Sequence, residues 1–482
     1  VSETYEEQAE GFCAELAEEQ YQNGAGLKET CDLSAIYERH AGLFARERVE
    51  ELLGRRETRA GSYLAQFGAF EYLGNSVRAL TEGITNAETQ ATLQWDGEEV
   101  SYRFGSVLLS NEADFGRRRE LHRRLLAVIE EKNPERAERV ARQHAEARSL
   151  GFPDYVRFCE ELAGLRLGWL AGEMKALLAR TESRWRAELE TALEQAEIPP
   201  QEADVADLRY LLGAPQFDAL FPKEKLLAAL EETLLGLGLE LRKQENLRLD
   251  TEERPLKSPR AFCAPVRVPS DVRLVIMPRG GREDYSALLH EAGHAEHFAH
   301  TEAAAPFAFR YLGDSSVTES YAFLLDHLLR SPAWLREVMG IQAEPGYLRF
   351  TRFYQLYYLR RYAAKLAYEL ELHAAESPGE GFGERYSREL GEALGVKAPG
   401  ASYLADVDDG FYCACYLRAW VFEAQLRERL EHEFGRAWFR QPRCGELLRW
   451  LWRLGQKYTV EELAQQLGYP GLEAGTLIGE LV

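Results

Sequence analysis

Two histidines four residues apart, with a glutamate beside the first, restrict this chain more than any other feature: His290-Glu291-Ala292-Gly293-His294. Residues at that spacing stand on one face of an α-helix, so both imidazoles can take neighbouring corners of one zinc tetrahedron only if the segment is helical. Glu291 lies next to that face, where it can reach a water held by the ion without ligating the ion, as the general base of a zinc peptidase must. The surrounding residues favour the helix independently. Asp284 offers an N-cap oxygen, no proline occurs between it and His300, and Leu288, Leu289, Ala292, Ala295 and Phe298 supply an apolar side.

Two imidazoles leave a catalytic zinc one protein ligand short, because such sites use three ligands and keep one position open. Glu319, 25 residues after His294 in Val317-Thr318-Glu319-Ser320-Tyr321, is the candidate. The interval lets the first helix end, a connection turn, and a second helix run back past the metal. A glutamate early in a helix also serves the dipole, so the ligand assignment rests on spacing.

Extended to His297, the motif reads H-E-x-G-H-x-x-H, and with the downstream Glu319 it resembles the thimet oligopeptidase and oligoendopeptidase F family of gluzincin zinc metallopeptidases. Arg260-Ala261-Phe262-Cys263 is similar to the Gly-Ala-Phe-Cys strand of the oligoendopeptidase F branch, and Ala147 to Tyr155 is similar to the family's N-terminal helix-turn pattern. The resemblance implies zinc held by His290, His294 and Glu319, with His297 and Asp284 in supporting positions. It also matches Asp326, seven residues after Glu319, to an acidic residue, for which a supporting role beside the ligands is expected.

The family's tyrosine-rich segment that closes over the scissile bond resembles Asp406 to Leu417, with Phe411-Tyr412 and Tyr416 on its aromatic positions. This chain departs from the family in one place: a His expected upstream of these tyrosines is replaced by Asp406 or Tyr403. The chemistry supports Tyr416 independently, since a phenol can stabilise the oxyanion that forms during amide hydrolysis. Tyr412 shares its helical face at i and i+4.

A chain of 482 residues, 45% hydrophobic, can bury a large core, and no apolar run approaches bilayer length. The formal charge of −21 argues against nucleic acid as a partner. Seven cysteines without a pairing framework fit free thiols in a reducing cytoplasm. The chain begins at Val1 and shows no signal-peptide pattern.

The patterning is predominantly helical. It predicts an N-terminal helical region over 1–200 with a β-hairpin near 92–104 around Asp96-Gly97, and a catalytic region over 201–482, the boundary approximate and the lobes interleaved. Strand character appears at Asn246 to Asp250, Ala261 to Arg267 and Val272 to Met277, and Ser377 to Gly383 reads as a loop. A strand just before the zinc helix can take an extended peptide at its edge; the other reading is a plain core strand.

These features predict a mainly α chain with a small β-sheet beside the active-site helix, and the resemblance implies a two-lobed helical zincin around a deep channel admitting short peptides. The expected activity is zinc-dependent oligoendopeptidase hydrolysis, with Glu291 passing the proton and Tyr416 and Tyr412 assisting. Two alternatives are a metallocarboxypeptidase of the thermostable HExxH family, which Asp271-Val272-Arg273-Leu274 and Thr318-Glu319-Ser320 resemble, and a metal-stabilised peptide-binding protein without hydrolysis.

Overall fold

The computed structural model describes residues 4–342, 344–375, 379 and 381–482; part of the loop expected at Ser377 to Gly383 lies outside them. The fold is mainly α-helical with small sheets. Two compact units are each assembled from separated stretches. The first comprises Val1–Ala69, Pro215–Leu348 and Arg418–Leu477, the second Phe70–Ala214, Arg349–Leu417 and Ile478–Val482. No helix among the described residues is long and apolar enough to cross a membrane.

In the second unit, strands β1 (Thr92–Trp95) and β2 (Glu98–Ser101) form an antiparallel hairpin. Its turn residues Asp96 and Gly97 have φ of 54° and 82°, the left-handed pair a two-residue hairpin needs. The expected strand through Phe104 stops at Ser101, because the Ser101 hydroxyl accepts from the Phe104 amide and caps a helix over Tyr102–Asn111.

The three-stranded sheet of the first unit has the order β3 (Leu247–Asp250), β5 (Asp271–Val275), β4 (Phe262–Arg267), with β3 parallel and β4 antiparallel to β5. The strand before the zinc motif is thus the middle one, paired on both sides. Of the two readings it is the core strand, and the edges of the sheet are β3 and β4.

Four helices carry the candidate residues and their neighbours: α1 (Arg282–His300), α2 (Ser315–Asp326), α3 (Pro345–Ala374) and α4 (Tyr412–Phe434). The motif helix α1 packs on α2, and α2 is buried from Ser316 through Asp326. Gly293 makes this approach close: a Cβ there would lie 2.4 Å from the Tyr321 carbonyl oxygen and 2.5 Å from the Ala322 Cα. Both neighbours are main chain and cannot swing aside.

Residues Arg418 to Phe434 of α4 belong to the first unit and tie the start of α2. The buried Arg418 guanidinium bonds both carboxylate oxygens of Asp314 at 2.9 and 2.7 Å, and reaches Ser316 and Glu461. Asp314 caps α2 through the Ser316 amide and accepts from the Val460 amide.

The second unit buries a different charged group. Lys365 lies 2.8 Å from Asp408 and 3.8 Å from Glu369, so Asp408 is its nearer counter-ion. Burial pushes the Glu369 carboxyl up to about 8, and Lys365 only partly opposes this. The protonated group still accepts from the Asp408 amide at 2.8 Å.

Two outcomes follow for stability. Gly293→Ala should destabilise the protein by about 1–3 kcal/mol, the usual cost of forcing an extra methyl group into packed structure, measured by denaturant unfolding. Glu369 holds a proton in the folded chain that the unfolded chain gives up near its ordinary value of 4.5. Its contribution is therefore complete below that value and lost as pH climbs through about 8. Glu369→Gln should flatten the decline of unfolding free energy across that interval, and an unchanged slope would contradict the assignment.

Candidate metal centre and catalytic carboxylate

Helix α1 begins at a glycine pair. Gly280 and Gly281 have φ of 90° and 89°, and Gly281 is the N-cap, with no side-chain cap. A Cβ on Gly281 would sit 2.9 Å from the Asp218 carboxylate that accepts from the Arg282 amide at 3.0 Å. Asp284 is therefore not the N-cap. It lies inside the first turn and reaches back to accept from the Arg279 and Gly280 amides at 2.6 and 2.8 Å, fixing the entry to the helix. With Glu283 it also places negative charge at the positive end of the helix dipole.

About two and three turns further on, His290 and His294 project to the same side, their ring centroids 4.9 Å apart. Helix α2 brings Glu319 to them. Its Oε2 is 3.5 Å from His290 Nε2 and 3.7 Å from His294 Nε2, and one ligand atom from each residue lies within 4.8 Å of the others. Two donors on a tetrahedral zinc, each about 2.0–2.1 Å from it, are about 3.3 Å apart. The three atoms are thus near the spacing one ion imposes. Two imidazoles and a carboxylate form a donor set that suits zinc and other divalent transition metals.

The electrostatics agree with a cation at that point. Burial disfavours the charged form of His290, but the Glu319 carboxylate outweighs it and raises the pKa. Burial holds His294 down to about 4. Glu319 thus favours positive charge beside His290, the kind of charge a divalent ion would bring. Phe323, on α2, meets the His290 ring edge-on at 5.2 Å and is stacked by Trp420 at 4.8 Å.

Glu291 sits beside this cluster. Its Oε2 accepts from the Cys263 amide of edge strand β4 at 2.9 Å, and burial pushes its pKa up to about 7, with His290 pulling the other way. A carboxylate with such a value can take a proton near neutrality and give it back. The outward amide of Cys263 is committed to Glu291, and Pro265 has no amide proton to offer.

The remaining expected residues have distinct places. Asp326 accepts from Ser286, one turn before His290, at 2.5 Å and from Arg330 at 2.9 Å, so it reaches the ligand helix through Ser286. His297 is fully buried on another side of α1, its ring 5.2 Å from Phe298 and 5.0 Å from Tyr321, outside the donor cluster. His300, near the end of α1, packs on Trp452 at 5.4 Å and bonds the Glu296 carbonyl.

Tyr412 and Tyr416 belong to the second unit, 5.0 Å apart edge-on as their i, i+4 spacing requires, with Tyr362 of α3 5.4 Å from Tyr416. Gly410, with φ of 65°, and Phe411, with φ of 56°, shape the turn that leads into them. Of the two stand-ins for the family's His, Asp406 bonds Arg361 at 2.6 Å and accepts from Tyr386 at 2.8 Å. Burial would raise its pKa, but Arg361 and Lys365 hold it below the usual range, and an ionised carboxylate has no proton to donate. The Tyr403 carbonyl accepts from Tyr368.

Two contacts were not legible beforehand. Thr318 Oγ1 lies 2.8 Å from His294 Nδ1, and the Cys263 amide reaches Glu291. Each joins residues more than twenty positions apart, so no local pattern marks them; the only sequence signal for Thr318 is that it adjoins Glu319.

No protein-family model matches this sequence, and no curated protein matches it by sequence comparison. Solved structures do. A crystal structure of the M32 carboxypeptidase from Deinococcus radiodurans R1 superposes with a TM-score of 0.60 at 18% identity, covering 99% of this chain and 96% of that one. The apo-Mg carboxypeptidase of Pyrococcus furiosus gives a TM-score of 0.60 at 14% identity, over 100% of this chain and 99% of that one. PZ peptidase A with an inhibitor gives 0.66 at 14% identity, over 96% and 84%. The chain therefore has a fold found in M32 carboxypeptidases, helical and zincin-like; the thimet and oligoendopeptidase F resemblance is not among the families these structures name.

Removing one donor provides a direct check. Glu319→Ala should weaken zinc binding by more than the 10–100-fold typical of outer-shell partners, measured by competition with a chromophoric chelator. Unchanged affinity would remove Glu319 from the ligand set.

Proposed function

We propose that this protein is a divalent-metal peptidase, with zinc held by His290, His294 and Glu319 and Glu291 as the proton-transfer group. The observation that carries this reading is the convergence of three donor atoms within 4.8 Å, with a half-buried carboxylate of pKa about 7 on the residue after His290. When bound, zinc supplies Lewis acidity toward a water and an amide carbonyl. Glu291 would accept a proton from an attacking water and return it to the departing amine, while the Cys263 amide keeps its carboxylate aimed. The burial of Glu319 and the aromatic wall of Phe323 and Trp420 keep bulk water from screening these charges. Tyr416, with Tyr412 beside it, is proposed as the donor to the developing oxyanion.

For the finer reading, the end-to-end likeness to two carboxypeptidases favours removal of residues from the peptide C-terminus. The oligoendopeptidase reading keeps one specific support, the H-E-x-G-H-x-x-H run together with Phe411-Tyr412 and Tyr416. Short peptides are the proposed substrates in either case, and 1–200 and 201–482 remain the proposed functional regions.

Digestion of a defined peptide mixture, read by mass spectrometry with and without chelator, tests all of this. Products should vanish with chelator and return with zinc. Glu291→Gln should retain zinc and lose about 10²–10⁴ in turnover, the usual worth of general acid–base catalysis. Full turnover in that variant would end the proposal. A carboxypeptidase should spare C-terminally amidated peptides, whereas an endopeptidase should still cut them.

A further inference from the structure

The two nitrogens of the His294 ring face consecutive residues of α2, and one of them is hydrogen-bonded. Its Nδ1 is 2.8 Å from Thr318 Oγ1, and its Nε2 is 3.7 Å from Glu319 Oε2. A neutral imidazole carries one proton, so only one nitrogen can offer a lone pair to a metal. A hydroxyl oxygen can accept from Nδ1–H, and when it does, the free lone pair is on Nε2, the nitrogen that faces Glu319.

We infer that Thr318 is a positioning residue for the metal centre, selecting the Nδ1-protonated form of His294 and holding its ring in the plane that directs Nε2 at the ion. The inference rests on the reading of the cluster as a metal site. Three observations make Thr318 an acceptor fixed in place rather than a passing neighbour. Its side chain is β-branched, with few rotamers open to it on a helix. It is buried, at 7% exposure, so water does not compete freely for the contact. The turn that carries it is held by the Asp314 cap and by Arg418, which bonds both Asp314 and Ser316. In many metal sites a carboxylate or a main-chain carbonyl plays this part. Here a neutral hydroxyl does so, adding no negative charge to a site that already contains Glu291 and Glu319.

Zinc affinity of the full-length protein, measured by chelator competition on Thr318→Val and Thr318→Ser, separates the outcomes. Val has a similar shape without the acceptor, and Ser restores it. Thr318→Val should bind zinc about 10–100-fold more weakly, Thr318→Ser within a few-fold of the parent, and the metal-free proteins should melt at similar temperatures. Should Thr318→Val fold poorly, Thr318→Ala makes the same comparison. Equal affinity in the acceptor-less variant overturns the inference and leaves the metallopeptidase reading intact. Equal losses in the Val and Ser variants, with a matching fall in metal-free melting, assign Thr318 to packing and also overturn it. A parent protein that binds no zinc removes the reading beneath.

Discussion

The contact between α1 and α2 at Gly293 governs everything around the candidate centre. Two donors stand on one helix and the third on another, so their convergence is set by how near the helix backbones come. The absent side chain at Gly293 lets the Tyr321 carbonyl and Ala322 Cα lie where a methyl group would otherwise be. That nearness also places Thr318 on His294 and Asp326 on Ser286. One missing Cβ thus sets the ligand spacing and the contacts behind the ligands together.

Such an arrangement needs rigid ends, and buried charge supplies them. Arg418 lies between Asp314 and Glu461 with almost no exposure. A buried pair of this kind is poor evidence of net stabilisation, because desolvation offsets much of the attraction; breaking it, however, strands a charge at a cost of about 3–5 kcal/mol. Its effect is specificity of geometry at the start of α2. The second unit uses the same device around the tyrosine segment. Asp406 is held by Arg361, and Asp408 by Lys365 and, through its amide, by Glu369. The strained φ of Phe411 persists there because the residue is wholly buried and packs on His373 at 5.0 Å.

Much of this was readable before any coordinates. The H-E-x-x-H spacing demanded a helix with both imidazoles on one side, and the 25-residue interval to Glu319 matched a helix that returns. Asp96-Gly97 marked its hairpin because few other pairs tolerate two left-handed residues. Where the reading failed, a local signal had two uses. Asp284 has the chemistry of a cap but occupies the first turn, since the Gly280-Gly281 turn had already determined the helix start. The strand entering the motif could not reveal its neighbours, because alternation of side chains does not say whether one edge is paired or two.

By itself the sequence determined the donor types, their periodicity and the glycine that permits close packing, since these follow from covalent chemistry and the helical repeat. Only the tertiary structure decided which nitrogen of His294 faces Glu319, that Cys263 holds Glu291, and that β5 lies inside its sheet. Those outcomes join segments distant along the chain, and a contact across such a distance is fixed by three-dimensional packing, which no local run of residues encodes.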